Sequence, residues 1–148
     1  MNILFCLTPK SDVDHVVEDA SLYKTIQIFD RHSFNIIPVI NKKGRYIGVI
    51  SCGDILGCIR ENFDMSVKEA ADFPVKNIKR TREYKAVNGS STTMEEIVVV
   101  AFEQSFVPVV DDEYNFIGII TRKSIINWMH ETYHKEHPEE NKLNLGGN

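Results

Sequence analysis

One supersecondary unit is written twice in this chain, and that repetition limits its possible folds more than any other feature. The first copy runs Ile37-Pro38-Val39-Ile40, a polar turn, Tyr46-Ile47-Gly48-Val49-Ile50-Ser51, then Asp54-Ile55-Leu56. The second runs Val107-Pro108-Val109-Val110, a polar turn, Phe116-Ile117-Gly118-Ile119-Ile120-Thr121, then Ser124-Ile125-Ile126. Proline, glycine, the aromatic, the hydroxyl and the closing apolar pair all keep a single offset, which aliphatic drift would not arrange. Two copies imply two quasi-equivalent surfaces, and the cleft between them is where function is expected.

Each copy is expected to open with a short strand, His15-Val16-Val17 or Lys85-Ala86-Val87, and to pass into a helix. Leu22, Ile26 and Phe29 in copy one, and Met94, Ile97, Val98, Ala101 and Phe102 in copy two, recur at helical spacing. Thr92 with Glu95 predicts a capping box at the start of the second of these helices. The helix then feeds a hairpin, turned by Lys43-Gly44 in copy one and by Asp111-Asp112-Glu113 with Asn115 in copy two. Closing helices are expected at about 53–62 and 123–133. The unit is β-α-β-β-α twice, an α+β fold with its repeats packed in pseudo-two-fold symmetry.

Copy two is two residues shorter between helix and strand, where Ser33-Phe34-Asn35-Ile36-Ile37-Pro38 becomes Ser105-Phe106-Val107-Pro108. Between the copies, Ser66 with Glu69 and the apolar Val67, Ala70 and Ala71 predict a short helix. The boundaries read 1–62 for repeat one, 63–76 for the helical connection, 77–134 for repeat two and 135–148 for a polar tail expected to be disordered.

A chain of 148 residues holds one compact domain, or two small halves sharing a core, and is short for a two-domain enzyme. The net charge of −4 argues against a general nucleic-acid binder. Lys76, Lys79, Arg80, Arg82 and Lys85 make one local basic run, which reads as a solvated face. Cys6, Cys52 and Cys58 are odd in number and lack CxxC spacing, so neither a disulfide framework nor a thiolate metal site is indicated. The apolar start Ile3 to Leu7 is too short for a signal-peptide core, and no apolar run approaches the roughly 20 residues that span a bilayer. The expectation is a soluble cytoplasmic protein with no membrane contact.

The Pro-Val strand, the turn, the aromatic-aliphatic-Gly strand and the pattern G-x-x-S/T-x-x-D resemble the tandem cystathionine-β-synthase (CBS) pair, or Bateman module. Copy one holds the pattern complete from Gly48 through Ser51 to Asp54; in copy two, Gly118 and Thr121 are followed by Ser124 in place of the acid. Leu7-Thr8-Pro9-Lys10 also resembles the Met-Thr-Pro that precedes strand one in many members. The resemblance covers residues 2–134 and leaves no segment for an enzyme domain. It implies a non-catalytic sensor that binds AMP, ADP or ATP as regulatory ligand between the repeats, needs no cofactor, pairs as a homodimer and acts on another protein in trans.

The resemblance also implies a site for each cleft. In the preferred one, Asp54 holds the ribose hydroxyls, Ser51 meets phosphate, and Thr81, Ala86, Ser105 and Phe106 come from the opposite copy to the adenine. Carboxylate-to-diol bonding is physically sound, because an ionised acceptor takes two neighbouring hydroxyl donors. The second cleft pairs Thr121, Arg122 and Ser124 with Asp14, Asn35 and Ile36; it lacks the ribose acid, and Asp14 stands where a small residue is usual. Arg122 and the shortened second copy resemble small stand-alone CBS-pair proteins of Gram-positive bacteria, some of which bind cyclic di-AMP. In those the arginine faces a phosphate, and a cyclic dinucleotide has no free diol at its linked positions. A cyclic di-AMP receptor is therefore the alternative.

Simpler readings of the same residues stand beside these. Gly48 and Gly118 suit close strand packing, Ser51 and Thr121 suit helix caps, and Asp54 suits the positive end of a helix dipole. His130-Glu131-Thr132-Tyr133-His134 matches the HExxH metallopeptidase signature and puts two imidazoles on one helical face. It falls at the frayed end of the last closing helix, with no evident third ligand, so no metal or catalytic residue is expected there.

Overall fold

Apolar strands that the sequence writes twice become two antiparallel hairpins, each backed by helices on one face and by the other hairpin on the opposite face. The computed structural model describes residues 2–31 and 34–139. Copy one contributes β2 (Val16–Val17), α1 (Leu22–Arg31), β3 (Ile36–Ile40), β4 (Tyr46–Ser51) and α2 (Cys52–Glu61), preceded by β1 (Thr8–Pro9). A short helix α3 (Val67–Asp72) leads to copy two: β5 (Val87–Asn88), α4 (Met94–Glu103), β6 (Phe106–Val110), β7 (Phe116–Thr121) and α5 (Arg122–Glu136). The molecule is α+β, with one sheet ordered β2-β3-β4 and the other β1-β7-β6-β5.

The two hairpins share register to the residue. Val39 pairs with Gly48 and Ile40 with Tyr46, while Val109 pairs with Gly118 and Val110 with Phe116, so Ile47 and Ile117 are the extra residues of equivalent bulges. The hairpin tips meet each other reciprocally: Tyr46 N–H donates to Tyr114 O, and Phe116 N–H donates to Gly44 O. Gly44 (φ 84°) and Tyr114 (φ 67°) occupy the same left-handed turn position in the two copies. Asn41 and Asp111 build that turn in the same way, each side chain accepting two backbone N–H groups across it.

Three apolar clusters follow. Val49, Ile40 and Tyr46 meet Phe106, Val110, Phe116 and Ile119 between the sheets. The outer cores exchange their lead-in segments: Ile3 and Cys6 pack into the core of copy two, whereas Val75 and Ile78, with Ala70 and Phe73, pack into that of copy one. β1 completes the exchange by pairing with β7. Each repeat thus closes over residues that precede the other.

Three local expectations shift. The capping box of α4 uses Thr93 and Glu96 rather than Thr92 and Glu95. Asn88 Oδ1 gathers the N–H groups of Ser90 and Ser91 into a turn, which delays the helix by one residue. The opening strand of copy two is Val87–Asn88, placed by its parallel pairing with Val109 and Val110. α5 continues to Glu136, two residues into the expected tail; residues 140–148 of that tail lie outside the described residues.

Candidate functional site

Strand β4 ends at Ser51, whose hydroxyl caps α2 by accepting Asp54 N–H at 3.1 Å, and Asp54 Oδ2 in return accepts Ser51 N–H at 2.9 Å. The same carboxylate reaches across to the segment entering copy two. Its Oδ1 accepts the backbone N–H of Thr81 at 3.1 Å and the Thr81 hydroxyl at 2.7 Å. Asp54 is 3% exposed, so this acid is committed to holding α2 and residue 81 together.

Beside that staple lies a cleft of about 520 Å³. Copy one lines it with Asn35, Ile36, Ser51 and Cys52, and copy two with Thr81, Arg82, Tyr84 and Ser105. The copy-two wall is a linked unit. The Tyr84 hydroxyl accepts Ser105 N–H at 3.1 Å and lies 2.9 Å from Ser105 Oγ, and its ring meets the Phe106 ring edge-on at 5.0 Å. Behind it, the buried Gln104 accepts Lys85 N–H at 2.6 Å and donates to the carbonyls of Lys85 and Phe106. A buried amide with all these partners fixes the approach of residues 84–86 to β6.

Of the residues expected in the preferred cleft, Ser51, Thr81 and Ser105 come together there. Asp54 turns to Thr81 instead, Ala86 packs against the cluster between the sheets, and the buried Phe106 lines the other cleft. Asn35, expected in the second cleft, lines the first, because the backbone of Asn35 binds Cys52 N–H at the end of the β3–β4 ladder. Tyr84, Arg82, Cys52 and Gln104 are additions. Tyr84 had a signal, an aromatic two residues before Ala86 at the strand entrance; Gln104, a polar residue buried by tertiary packing, had none.

The second cleft, about 340 Å³, is lined by Val13, Asp14, Phe34, Ile36, Phe106, Ile119 and Thr121 among others. Asp14, Ile36 and Thr121 fall where expected. Thr121 caps α5, and Ser124 Oγ stands 2.9 Å from Thr121 Oγ1. Arg122 does not enter this cleft. Its Nε donates to Ala101 O at 3.0 Å, satisfying a carbonyl in the last turn of α4 that has no intrahelical partner. Parallel register equates Ala86 with His15 rather than Asp14, since Val16 pairs with Val39 as Val87 pairs with Val109.

His130 and His134 stand on one face of α5 with Nε2 atoms 2.8 Å apart. Among the described residues, no group of three or more His, Cys, Asp or Glu side chains is placed to hold a metal ion. No described helix is long and apolar enough to cross a membrane.

Two β-α-β-β-α units that face each other across paired hairpins, with two clefts lined by residues of both, define a tandem-repeat module. The chain belongs to the CBS domain family, whose model matches residues 6–61 and 62–131. Its structure is similar to that of CbpB in complex with c-di-AMP, with a TM-score of 0.83 and 26% identity, over 94% of this chain and 91% of that one. It is 29% identical to an uncharacterised protein of Methanocaldococcus jannaschii, covering 75% of this chain and 82% of the relative. It is 26% identical to the L-aspartate semialdehyde sulfurtransferase of the same organism, but spans 19% of that relative's length.

Proposed function

We propose that the chain is a non-catalytic regulator that binds an adenine nucleotide in the first cleft and acts on a partner protein in trans. One observation carries this reading: Ser51, Thr81 and Ser105, each with a hydroxyl, and the carboxamide residue Asn35 line, from both repeats, one cleft of nucleotide size. Hydroxyls and a carboxamide both donate and accept, which suits the ring nitrogens and amino group of adenine. Arg82 gives the cleft a cation for phosphate, and its lining includes no carboxylate among the described residues. With Asp54 occupied by Thr81, a ribose diol would have to exchange with the Thr81 hydroxyl to reach the acid.

A second reading, a cyclic di-AMP receptor, is favoured by the likeness to CbpB. Ile36 lines both clefts, so they adjoin, and a ligand with two bases would seat one in each.

Thermal-shift and calorimetric titration with AMP, ADP, ATP and cyclic di-AMP test both. A ligand at 100 times its Kd adds about 2.7 kcal/mol of stability, a readily visible shift. Mononucleotide binding that weakens about tenfold in Ser105→Ala, the loss of one hydrogen bond, supports the first reading. Binding of cyclic di-AMP alone replaces it with the second. Silence from all four ligands rejects both.

A further inference from the structure

The basic run between the repeats is exposed, but three of its five cations share one concave place. Lys76, Arg80 and Arg82 converge on a cavity of about 500 Å³ whose walls also include Tyr46, Tyr84 and Tyr114. Three cations against the single carboxylate of Glu83 line this cavity, in a chain whose net charge is −4. Lys76 makes one loose ion pair, with Asp19 at 3.7 Å.

Arg80 is held by backbone. Its Nη1 donates to Ile47 O at 3.2 Å, and it lies so close over Gly48 that a Cβ there would stand 2.0 Å from it. A guanidinium has five N–H donors, so this anchor leaves others for a ligand, already oriented. The fold itself does not require a cation at this place. Over the equivalent Gly118 the covering groups are Thr8 O, 2.2 Å from an added Cβ, and the Leu7 side chain, both neutral. The architecture closes over one glycine with a strand and over the other with a positive charge. Tyr46 donates its hydroxyl to Tyr84 O at 2.6 Å, which fixes the wall that this cavity shares with the first cleft.

We propose that this cavity is a second binding site, separate from the clefts, that takes the phosphate chain of a small oligophosphate, either inorganic or the tail of a nucleotide. Oligophosphates match it because several adjacent anionic oxygens engage a planar guanidinium fork and a neighbouring ammonium at once. For an inorganic oligophosphate the proposal does not depend on what fills the first cleft, whereas the nucleotide-tail arm rests on the reading of that cleft given above. Arg82 and Tyr84 line both spaces, whereas Lys76 and Arg80 line only the cationic one, so those two residues test it.

The experiment is calorimetric titration at low salt with sodium tripolyphosphate, ATP and AMP against wild type, Arg80→Gln, Lys76→Gln and Ser105→Ala, each checked for folding by circular dichroism. Tripolyphosphate is expected to bind wild type, to bind about tenfold or more weakly to Arg80→Gln, and to bind Ser105→Ala unchanged. Added salt should weaken it. ATP that responds to Arg80→Gln while tripolyphosphate does not bind would assign the site to a nucleotide tail. The proposal is overturned if neither tripolyphosphate nor ATP distinguishes wild type from Arg80→Gln. Should Arg80→Gln not fold, unchanged affinity in the exposed Lys76→Gln overturns it. Absent binding of AMP, ADP, ATP and cyclic di-AMP with retained tripolyphosphate binding would reject both readings of the first cleft and leave this site standing.

Discussion

Thr81 gives both its backbone N–H and its hydroxyl to one oxygen of Asp54, at 3.1 and 2.7 Å. The acid of the repeated motif is thereby a strap between the closing helix of repeat one and the segment that enters repeat two. Its other oxygen completes the cap of α2. A buried carboxylate filled in this way stabilises the junction of the repeats.

Asp54→Ala is therefore expected to destabilise the protein before any ligand is added. It removes the return half of a capping box and the two hydrogen bonds that Thr81 gives to a charged acceptor, for a loss of about 3 kcal/mol. At 2–4 °C per kcal/mol for a chain of this size, the melting temperature should fall by roughly 6–12 °C. A melting point within about a degree of wild type, against that scale, would show that the strap contributes nothing.

The two motif glycines should differ in tolerance although they share a register. Gly48 (φ 148°) and Gly118 (φ 155°) both pay backbone strain on substitution by alanine, about 1–3 kcal/mol. Beyond that, the new methyl at 48 meets a side-chain end, the Arg80 guanidinium with its one bond to Ile47 O, while at 118 it meets Thr8 O, a backbone atom of β1. Gly118→Ala should unfold at the lower temperature and expose β1 to early hydrogen exchange. Equal melting points for the two variants would contradict the account of strand exchange.

The repeat made much of this fold legible. Offsets that align Pro38 with Pro108 and Gly48 with Gly118 fix both hairpins, and apolar spacing fixes the helices. The exchange of lead-in segments was not legible, because β1 is two residues long and carries no periodicity. Its pairing is decided by tertiary contacts of Ile3 and Cys6 with the core of repeat two. In the site, the resemblance places Ser51, Thr81 and Ser105 together, but side-chain direction lies beyond it. Arg122 turns to the unpaired carbonyls ending α4, and Asp54 turns to Thr81, each following the nearest strong partner.

Cys52 offers a probe of the first cleft. It lines that cleft and is half-buried, whereas Cys6 and Cys58 are buried in the outer cores. Burial raises the titration of all three thiols, opposed at Cys52 by a backbone hydrogen bond and reinforced at Cys6 and Cys58 by Glu131 and Glu61. Protonated thiols are favoured in the folded state, so their contribution to stability is present at neutral pH and is lost as pH rises through the raised values. With an aromatic disulfide reagent near neutral pH, one thiol should react ahead of the others and slow when AMP or ATP saturates the protein. Reaction of Cys52 at an unchanged rate under saturating nucleotide would exclude the first cleft as its seat.

The closing helices predict self-association. Ile55 and Ile125 turn inward and are buried, while Leu56 on α2 and Phe102 and Ile126 on α4 and α5 remain 67%, 73% and 64% exposed. The last two border an apolar groove with Val98, Ala101 and Met129, and Arg122 lies along it with its guanidinium bound to Ala101 O. Exposed apolar helix faces on both repeats of one small chain are the pattern that two-fold pairing covers. A homodimer joined through these helices is expected in sedimentation at tens of micromolar. Phe102→Glu combined with Ile126→Glu should shift it to monomer with the circular dichroism spectrum retained, since neither side chain belongs to a core cluster. A wild-type protein that sediments as a monomer with and without nucleotide would refute this pairing.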